Sequence, residues 1–339
     1  MSPEARPPAE PGRAVPWSIN PEAAFAPCAA LVLFVALSIA SSNFLTSQNL
    51  VNVGTQMAIL AIVSFGVTLV MVSGAFDLSV GAQVALNGCV AALVASNTGS
   101  IVLGVLAGVA SGAVFGVANG LITTQLRINP FIVTLGTLVI GRGLALAITD
   151  ARPVVGLPSG ITSFGTGDLL GLPWLIWLMF ACFAVAAFIL HFTTFGLRIY
   201  ARGSNEEAAR LAGIRVDRTL VVAFVLSGVF AGVAAVASMA RLGAGLPTTG
   251  QSLELFSVAA VVLGGSSLYG GRGAMWRTVV GVSIIAMIQN GLNLLNVEEA
   301  YQQITIGVVF ILAASSELLR AGGRGSTVVR RLRRTPQRS

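Results

Sequence analysis

The chain has 339 residues, of which 55% are apolar and 10% are charged, with a mean hydropathy of +0.86. Soluble globular domains carry about 25% charged residues, so this composition excludes an ordinary soluble protein. Apolar stretches of roughly 16 to 24 residues recur along the chain, a length that suits membrane-spanning helices. The expected fold class is therefore an all-α polytopic membrane protein.

Ten apolar segments predict about ten transmembrane helices, in a domain over residues 24–319. Residues 1–23 are proline-rich and lack the apolar core of a signal peptide, which predicts a disordered cytoplasmic tail. Residues 320–339 form a basic C-terminal tail. The third and eighth segments are short and are flanked by glycine-rich breaks. The segments lie near 24–42, 51–72, 79–96, 101–124, 130–148, 174–192, 219–240, 253–268, 274–295 and 302–319.

The twenty basic residues are all arginines, and their distribution predicts the topology. Seventeen lie in the termini and in the loops near 127, 193–218 and 270–277, whereas two lie in the opposite loops. The positive-inside rule places both termini and the 193–218 loop in the cytoplasm. Dividing the chain near residue 170 puts five segments in each half. Two inverted five-helix halves remain an option, although their sequences are only weakly similar.

Residues 73–81 separate the second and third segments and place Asp77 and Ser79 between two apolar stretches. A carboxylate at membrane depth is costly and is usually paired or solvated. Asp77 is therefore either an N-cap of the third helix or part of a hinge or gate beside a pathway. Asn87 in the third segment is a further pathway candidate.

The fourth segment carries a glycine at every fourth position over four turns. Such a stripe exposes backbone along one helix face and lets another helix pack closely, since membrane helices associate by close packing. These residues are predicted to form a packing face inside the subunit, with a role at a dimer seam as the alternative. The stripe consists of Gly104, Gly108, Gly112, Gly116 and Gly120.

Residues 129–136 open the fifth segment, with Pro130 in the first helical turn, where its missing N–H costs nothing. Arg142 lies within that segment and is expected to reach the outer interface or to pair with a carboxylate. Asp150 is two turns further along, which leaves that pairing open. On the extracytoplasmic side, the loops 151–173 and 241–252 either receive a soluble protein or only connect helices.

Residues 196–218 form one of the longest polar interruptions and hold five arginines. Ser204 is a suitable N-cap, Glu207 completes a capping box, and Gly213 supplies the left-handed position that ends a helix. The pattern predicts a helix of about two turns, roughly 12 Å long. It belongs either to a solvated connecting loop or to a docking helix pressed into a partner protein. The candidate docking residues are Ser204, Asn205, Glu206, Glu207, Ala208, Ala209, Arg210, Ala212 and Gly213, with Leu211 among the apolar residues of the lateral faces.

In the second half, residues 253–268 precede a glycine-rich stretch at 269–273 that breaks the eighth segment. Three amide side chains follow in the ninth segment: Gln289, Asn290 and Asn293. They are expected either to hydrogen-bond across helices or to line a translocation path. The three cysteines show neither metal nor disulfide spacing, and the single histidine is expected at a helix end. No catalytic dyad, phosphate loop or zinc pattern is present in the sequence.

Four of these motifs, at 73–81, 129–136, 196–218 and 253–273, occur in order with apolar spacing between them. Together they resemble the permease subunits of ATP-binding-cassette importers for ribose, xylose and other simple sugars, in the branched-chain permease superfamily. The resemblance covers about residues 45–318.

The resemblance implies a multi-pass subunit of a bacterial inner membrane that has no ATPase site of its own and binds no cofactor. It would act as a homodimer or heterodimer with two cytoplasmic ATPase subunits, which bind ATP and Mg, and with an extracytoplasmic sugar-binding protein. The 193–218 loop would be the coupling loop, with its helix in a groove of the ATPase.

Two alternatives stay open. One is a permease of the same architecture for branched-chain amino acids, nucleosides or another small polar solute. The other is an ion-coupled secondary carrier, which would need intramembrane carboxylates, whereas this chain has only Asp77 and Glu317 near predicted spans.

Overall fold

The computed structural model describes residues 21–298, 300–312 and 315. This part of the chain folds into helices joined by short loops, with one antiparallel hairpin of β1 (Asp168–Leu169) and β2 (Leu172–Pro173). The helices are α1 (Pro21–Ala40), α2 (Ser47–Val72), α3 (Val80–Thr98), α4 (Ile101–Gln125), α5 (Pro130–Ile148), α6 (Ser159–Thr166), α7 (Trp174–Phe192), α8 (Thr194–Ser204), α9 (Glu206–Leu211), α10 (Val216–Leu242), α11 (Leu253–Leu263), α12 (Met275–Leu294) and α13 (Ala300–Leu312).

The predicted tails fall largely outside these residues. Helix α1 already begins at Pro21, three residues before the predicted start of the transmembrane domain at residue 24. Residues 1–20 and the predicted C-terminal tail at 320–339 lie outside the described residues, and so does Glu317.

The predominantly helical architecture agrees with the prediction from composition. Within the described residues, six helices are long and apolar enough to cross a membrane, namely α2, α3, α4, α5, α7 and α10. Three shorter apolar helices accompany them, over Phe25–Ala40, Leu253–Leu263 and Ala300–Leu312. These observations establish a multi-pass membrane protein and leave the count of ten spans unconfirmed.

The predicted eighth segment is shorter than expected. Helix α11 has 11 residues, roughly 16 Å of rise, which is about half of a 30 Å hydrocarbon core. It ends because Gly264 and Gly265 turn the chain, with Gly265 at a φ of 91° that only glycine adopts readily.

Helix α10 is the centre of the fold and packs against α2, α3 and α4. Its buried residues include Gly228, Ala231, Gly232 and Ala235, which let neighbouring backbones come close. The apolar window of α2 is 78% buried, whereas those of α4 and α5 are 22% and 28% buried. The exposed faces of α4 and α5 carry valine, leucine and isoleucine, as expected for surfaces that meet lipid.

The glycine stripe of α4 lies against two neighbours in the same chain. At Gly104, an added Cβ would lie 2.7 Å from the Cβ of Ala95 on α3. At Gly112, an added Cβ would lie 2.1 Å from the carbonyl oxygen of Gly228 on α10. The stripe therefore places α4 in backbone contact within the subunit.

Two irregular segments interrupt the bundle, at residues 73–79 between α2 and α3 and at 243–252 between α10 and α11. They bring the first turns of α3 and α11 together. A Cβ at Gly81 would lie 2.7 Å from the carbonyl oxygen of Gly250 and would overlap the carboxylate of Glu254. The two breaks thus meet at one place, where the chain has no room for a side chain at residue 81.

Candidate functional site

The segment at 193–218, which was predicted to hold one helix, contains two, α8 and α9, separated by Asn205. Asn205 has an extended backbone with φ −162°, and its Oδ1 accepts a hydrogen bond of 2.9 Å from the backbone N–H of Ala208. The predicted N-cap at Ser204 and its capping box with Glu207 are therefore wrong. Helix α8 continues through Ser204, so the chain leaves helical geometry one residue later, where asparagine is an equally good cap.

The end of α9 agrees with the prediction. Gly213 has a φ of 84°, and its N–H donates to the carbonyl of Arg210 at 3.0 Å. The N–H of Ile214 donates to the carbonyl of Ala209 at 3.0 Å and closes the turn. The helix has six residues, roughly 9 Å, and is therefore shorter than the two turns expected.

The residues grouped as one contact face point in different directions. Leu211 is 86% exposed and Ala208 and Ala212 are exposed, whereas Ala209 is 4% exposed and faces the rest of the chain. Ala209 therefore does not belong to the outer surface, in contrast to the prediction. An exposed leucine beside two exposed alanines leaves a small apolar patch on the surface of this segment.

A series of ion pairs connects α8, α9 and the start of α10. Arg202 Nη2 lies 2.9 Å from Glu206 Oε2, and Arg210 Nη2 lies 3.3 Å from Glu206 Oε1 and 3.3 Å from Asp217 Oδ1. The Arg202 side chain is 9% exposed, whereas the other three are about half exposed. Burial lowers the pKa of Arg202, and the carboxylate of Glu206 opposes that shift. Arg202, which is the least exposed of the four side chains, anchors one end of this series of ion pairs.

The end of α8 also contacts two other loops. The second guanidinium nitrogen of Arg202 donates to the carbonyl oxygen of Ser73, at the end of α2. The N–H of Gly271 donates to the carbonyl of Val72 at 2.9 Å, and Tyr200 Oη donates to the carbonyl of Gly273 at 2.8 Å. The end of α8 is thus attached to the loops at 72–74 and 269–273.

Asp77 is fully buried and does not cap α3. Its Oδ1 accepts from the backbone N–H of Ser79 at 3.1 Å and from Ser79 Oγ at 2.5 Å, and its Oδ2 accepts from Ser227 Oγ at 2.8 Å. The capping interpretation is therefore wrong, because the carboxylate is used between the break and α10. These three hydrogen bonds offset part of the cost of burying the carboxyl group.

Two buried amides extend this cluster. Gln83 Nε2 donates to Ser79 Oγ at 2.9 Å, and Asn119 Nδ2 donates to the same oxygen at 2.8 Å. Asn119 was not predicted; the available signal was a polar residue beside Gly120 in the packing stripe. Asn87 Oδ1 accepts from Ser111 Oγ at 2.8 Å, which ties α3 to α4.

Arg142 has a carboxylate partner, Glu254, that is distant from it in the sequence. Its guanidinium donates to the carbonyl oxygens of Thr249 at 2.5 Å and Gly250 at 2.6 Å, and it lies 4.0 Å from Glu254 Oε2. Asp150 does not take part in this ion pair. The expected carboxylate partner exists, but it is contributed by α11, and the arginine holds the break at 243–252 against α5.

Two of the three amides of the ninth segment, Asn290 and Asn293, form hydrogen bonds to other helices. Asn290 and Asn49 exchange two hydrogen bonds of 2.8 and 3.0 Å, and both side chains are buried. Asn293 Oδ1 accepts from Gln302 Nε2 at 2.7 Å, while Gln289 is partly buried on α12. The hydrogen-bonding capacity of Asn290 is therefore used between α2 and α12.

Known permease proteins are similar to this chain over most of its length. A family model described as "Branched-chain amino acid transport system / permease component" matches residues 49–314. The ribose import permease protein RbsC of Bacillus subtilis is 42% identical over 284 residues, which cover 83% of this chain and 88% of that protein.

Two further relatives come from Escherichia coli K12. Its ribose import permease protein RbsC is 40% identical over 84% of this chain and 90% of that protein. Its L-arabinose transport system permease protein AraH is 39% identical over 83% and 86% of the two chains. No solved structure gives a significant match.

Proposed function

The chain belongs to the branched-chain amino acid transport system / permease component family, and on that premise we propose how it works. It is the membrane-spanning permease subunit of an ATP-binding-cassette importer for a simple sugar. The observation that carries this function is the near full-length similarity to permeases named for ribose and L-arabinose. A further relative, at 35% identity, is named for D-allose. These names share a neutral monosaccharide, which is the proposed substrate class.

The ATPase subunits dock on α9. The supporting observation is the apolar patch of Ala208, Leu211 and Ala212, which projects on the side where arginines are concentrated. Exposed apolar patches that are rimmed by polar residues mark protein interaction sites. Asn205 and Gly213 fix the two ends of the helix, so the patch is presented in one orientation. ATP and Mg belong to the partner subunits, and Glu206, Glu207 and Arg210 surround the patch.

The arginine distribution supports a topology with both termini cytoplasmic in the inner membrane. A second permease subunit completes the pathway. The binding protein then docks on the opposite side. The loops there are joined to each other, since Val154 and Gly245 exchange two backbone hydrogen bonds of 2.9 Å. Leu170, at the tip of the β1–β2 hairpin, is 85% exposed and projects from this surface.

The gate is the place where the two breaks meet. Asp77 and Ser79 hold the first break to α10 and α4, while Arg142 and Glu254 hold the second break to α5. Both breaks follow the longest helices of their halves, α2 and α10, and both precede a helix whose first turn faces the other. This arrangement supports two inverted five-helix halves, α1–α5 and α7 with α10–α13. Asn87, Gln289 and Asn293 remain candidates for residues that the substrate passes, whereas Asn290 is bonded to Asn49 between helices.

The test is sugar uptake into proteoliposomes that contain this chain, its ATPase and its binding protein. Uptake should require ATP and should fail with a proton gradient alone; gradient-driven uptake without ATP would show a secondary carrier. Leu211→Glu should abolish co-purification of the ATPase, because it puts a charge into the apolar patch. Leu170→Glu is the matched control, since that leucine is equally exposed on the opposite side. Retention of the ATPase by Leu211→Glu would refute docking at α9.

A further inference from the structure

Arg202 is a buried arginine in a segment where the other arginines are exposed. Its side chain is 9% exposed, and it binds Ser73 at the end of α2 and Glu206 in the first turn of α9. Arg198, one turn earlier on the same helix, is exposed. Burying a guanidinium costs solvation energy, which charge-assisted hydrogen bonds offset only when their geometry is held in place. Arg202 therefore ties two elements into one unit.

Backbone contacts around Arg202 leave that unit little freedom to slide. A Cβ at Gly270 would lie 2.6 Å from the Cα of Gly74 and 3.0 Å from the carbonyl oxygen of Gly203. A Cβ at Gly271 would lie 2.8 Å from the Cα of Ser204. Backbones in direct contact cannot absorb a displacement as a side chain can by changing rotamer, so a movement of α8 is passed on to residues 72–74.

The loop that receives this movement continues directly into the first break. Four residues after Ser73, Asp77 is bonded to Ser227 on α10, and Ser79 is bonded to Asn119 on α4. The break is therefore held at its cytoplasmic end by Arg202 and at its inner end by α10 and α4. A displacement of α9 has a continuous path of short polar and backbone contacts to the place where the two breaks meet.

From these contacts we infer that Arg202 is a positioning residue that transmits the movement of the docked α9 to the break at 73–79. The inference depends on the proposed docking of an ATPase at α9. Leu211 and Arg202 therefore have separate roles. Leu211 binds the ATPase, whereas Arg202 transmits the movement of the bound α9 to the break at 73–79. Loss of Arg202 should leave the ATPase attached and hydrolysing ATP without a matching transport of sugar.

The experiment compares Arg202→Met with Arg198→Met in the assembled transporter. The quantities measured are sugar molecules transported per ATP hydrolysed, ATPase co-purification and the amount of permease in the membrane. Arg202→Met should lower the transport ratio on the order of tenfold, because two charge-assisted hydrogen bonds are lost, while co-purification stays at the wild-type level. Arg198→Met should keep both values. Arg202→Lys, which retains the charge and one of the two contacts, should restore part of the ratio.

A second variant keeps the test valid if Arg202→Met does not insert. Glu206→Ala removes the contact between Arg202 and α9, and Arg198→Met again serves as its control. Only Glu206→Ala should lower the ratio. A wild-type ratio in Arg202→Met, or in Glu206→Ala if the first variant is absent from the membrane, would overturn the inference. So would loss of the ATPase from Arg202→Met to the extent seen with Leu211→Glu. Wild-type uptake that needs no ATP would instead refute the proposed function itself.

Discussion

Gly112→Ala adds one methyl group at the closest contact between α4 and α10. The new Cβ would lie 2.1 Å from the carbonyl oxygen of Gly228, whereas ordinary contacts begin at 3.4 Å. The two helices would have to separate by about 1.3 Å, since the nearest atom, the carbonyl oxygen of Gly228, belongs to the backbone and cannot move as a side chain can. A gap of about 0.5–1 Å already forfeits a quarter to a half of the dispersion energy of the atoms beside it.

The expected cost of Gly112→Ala is about 1–3 kcal/mol, the usual range for overpacking a tight core. The matched control is Gly307→Ala on α13, where an added Cβ meets nothing within 4 Å. There the substitution should stabilise the helix by about 0.5–1 kcal/mol, because alanine loses less backbone entropy than glycine. The two alanine variants should therefore differ in sign.

The assay is the fraction of purified permease that stays monodisperse after heating in detergent, measured over a range of temperatures. Gly112→Ala should lower the midpoint and Gly307→Ala should leave it equal or higher. Gly228→Ala should resemble Gly112→Ala, and the double variant should cost less than the two single effects together, because the helices separate only once. A Gly112→Ala midpoint at or above the wild-type value would refute the close contact.

Three further predictions concern topology, the helix cap and the buried carboxylate. With Cys28 replaced by serine, a cysteine at Ser159 should react with an impermeant thiol reagent in intact cells and one at Ser204 should not; the reverse order would contradict the cytoplasmic placement of α8. Asn205→Ala should fray α9, at about 0.5–2 kcal/mol for a lost cap, and reduce ATPase co-purification; unchanged co-purification would show that the cap is dispensable. Asp77→Ala leaves buried hydroxyls without their acceptor, at about 1–3 kcal/mol per group. The fraction of Asp77→Ala that stays monodisperse after heating should therefore be lower than that of Asp77→Asn, and equal fractions would contradict this prediction.

Much of the architecture was predictable because it depends on short-range patterns. Segment length and composition identify membrane helices, since each residue in the hydrocarbon region contributes its own transfer energy. The glycine stripe of α4 was predicted as a packing face from spacing alone, because residues four apart share one side of a helix. The end of α9 at Gly213 was predicted for a similar local reason, as a left-handed backbone position favours glycine.

The details of the candidate site were less predictable. Ser204 and Asn205 are both good N-caps by residue type. Asn205 is the N-cap of α9 because α8 extends through Ser204, where its end contacts Gly271. Ala209 and Ala212 have the same side chain, yet only Ala209 is buried, since the direction of so short a helix is set by what lies beneath it.

By itself, the sequence determined the class of protein, the approximate positions of most helices and, through near full-length similarity, the family. The tertiary structure alone decided which groups meet across the bundle. Arg142 pairs with the carboxylate of Glu254, and Asp77 accepts a hydrogen bond from Ser227. In both pairs the partners are more than a hundred residues apart in the sequence. A buried charge needs an opposite charge or a donor, and this requirement specifies the kind of partner but not its position. The position depends on how α5, α10 and α11 pack, which is a property of the whole bundle.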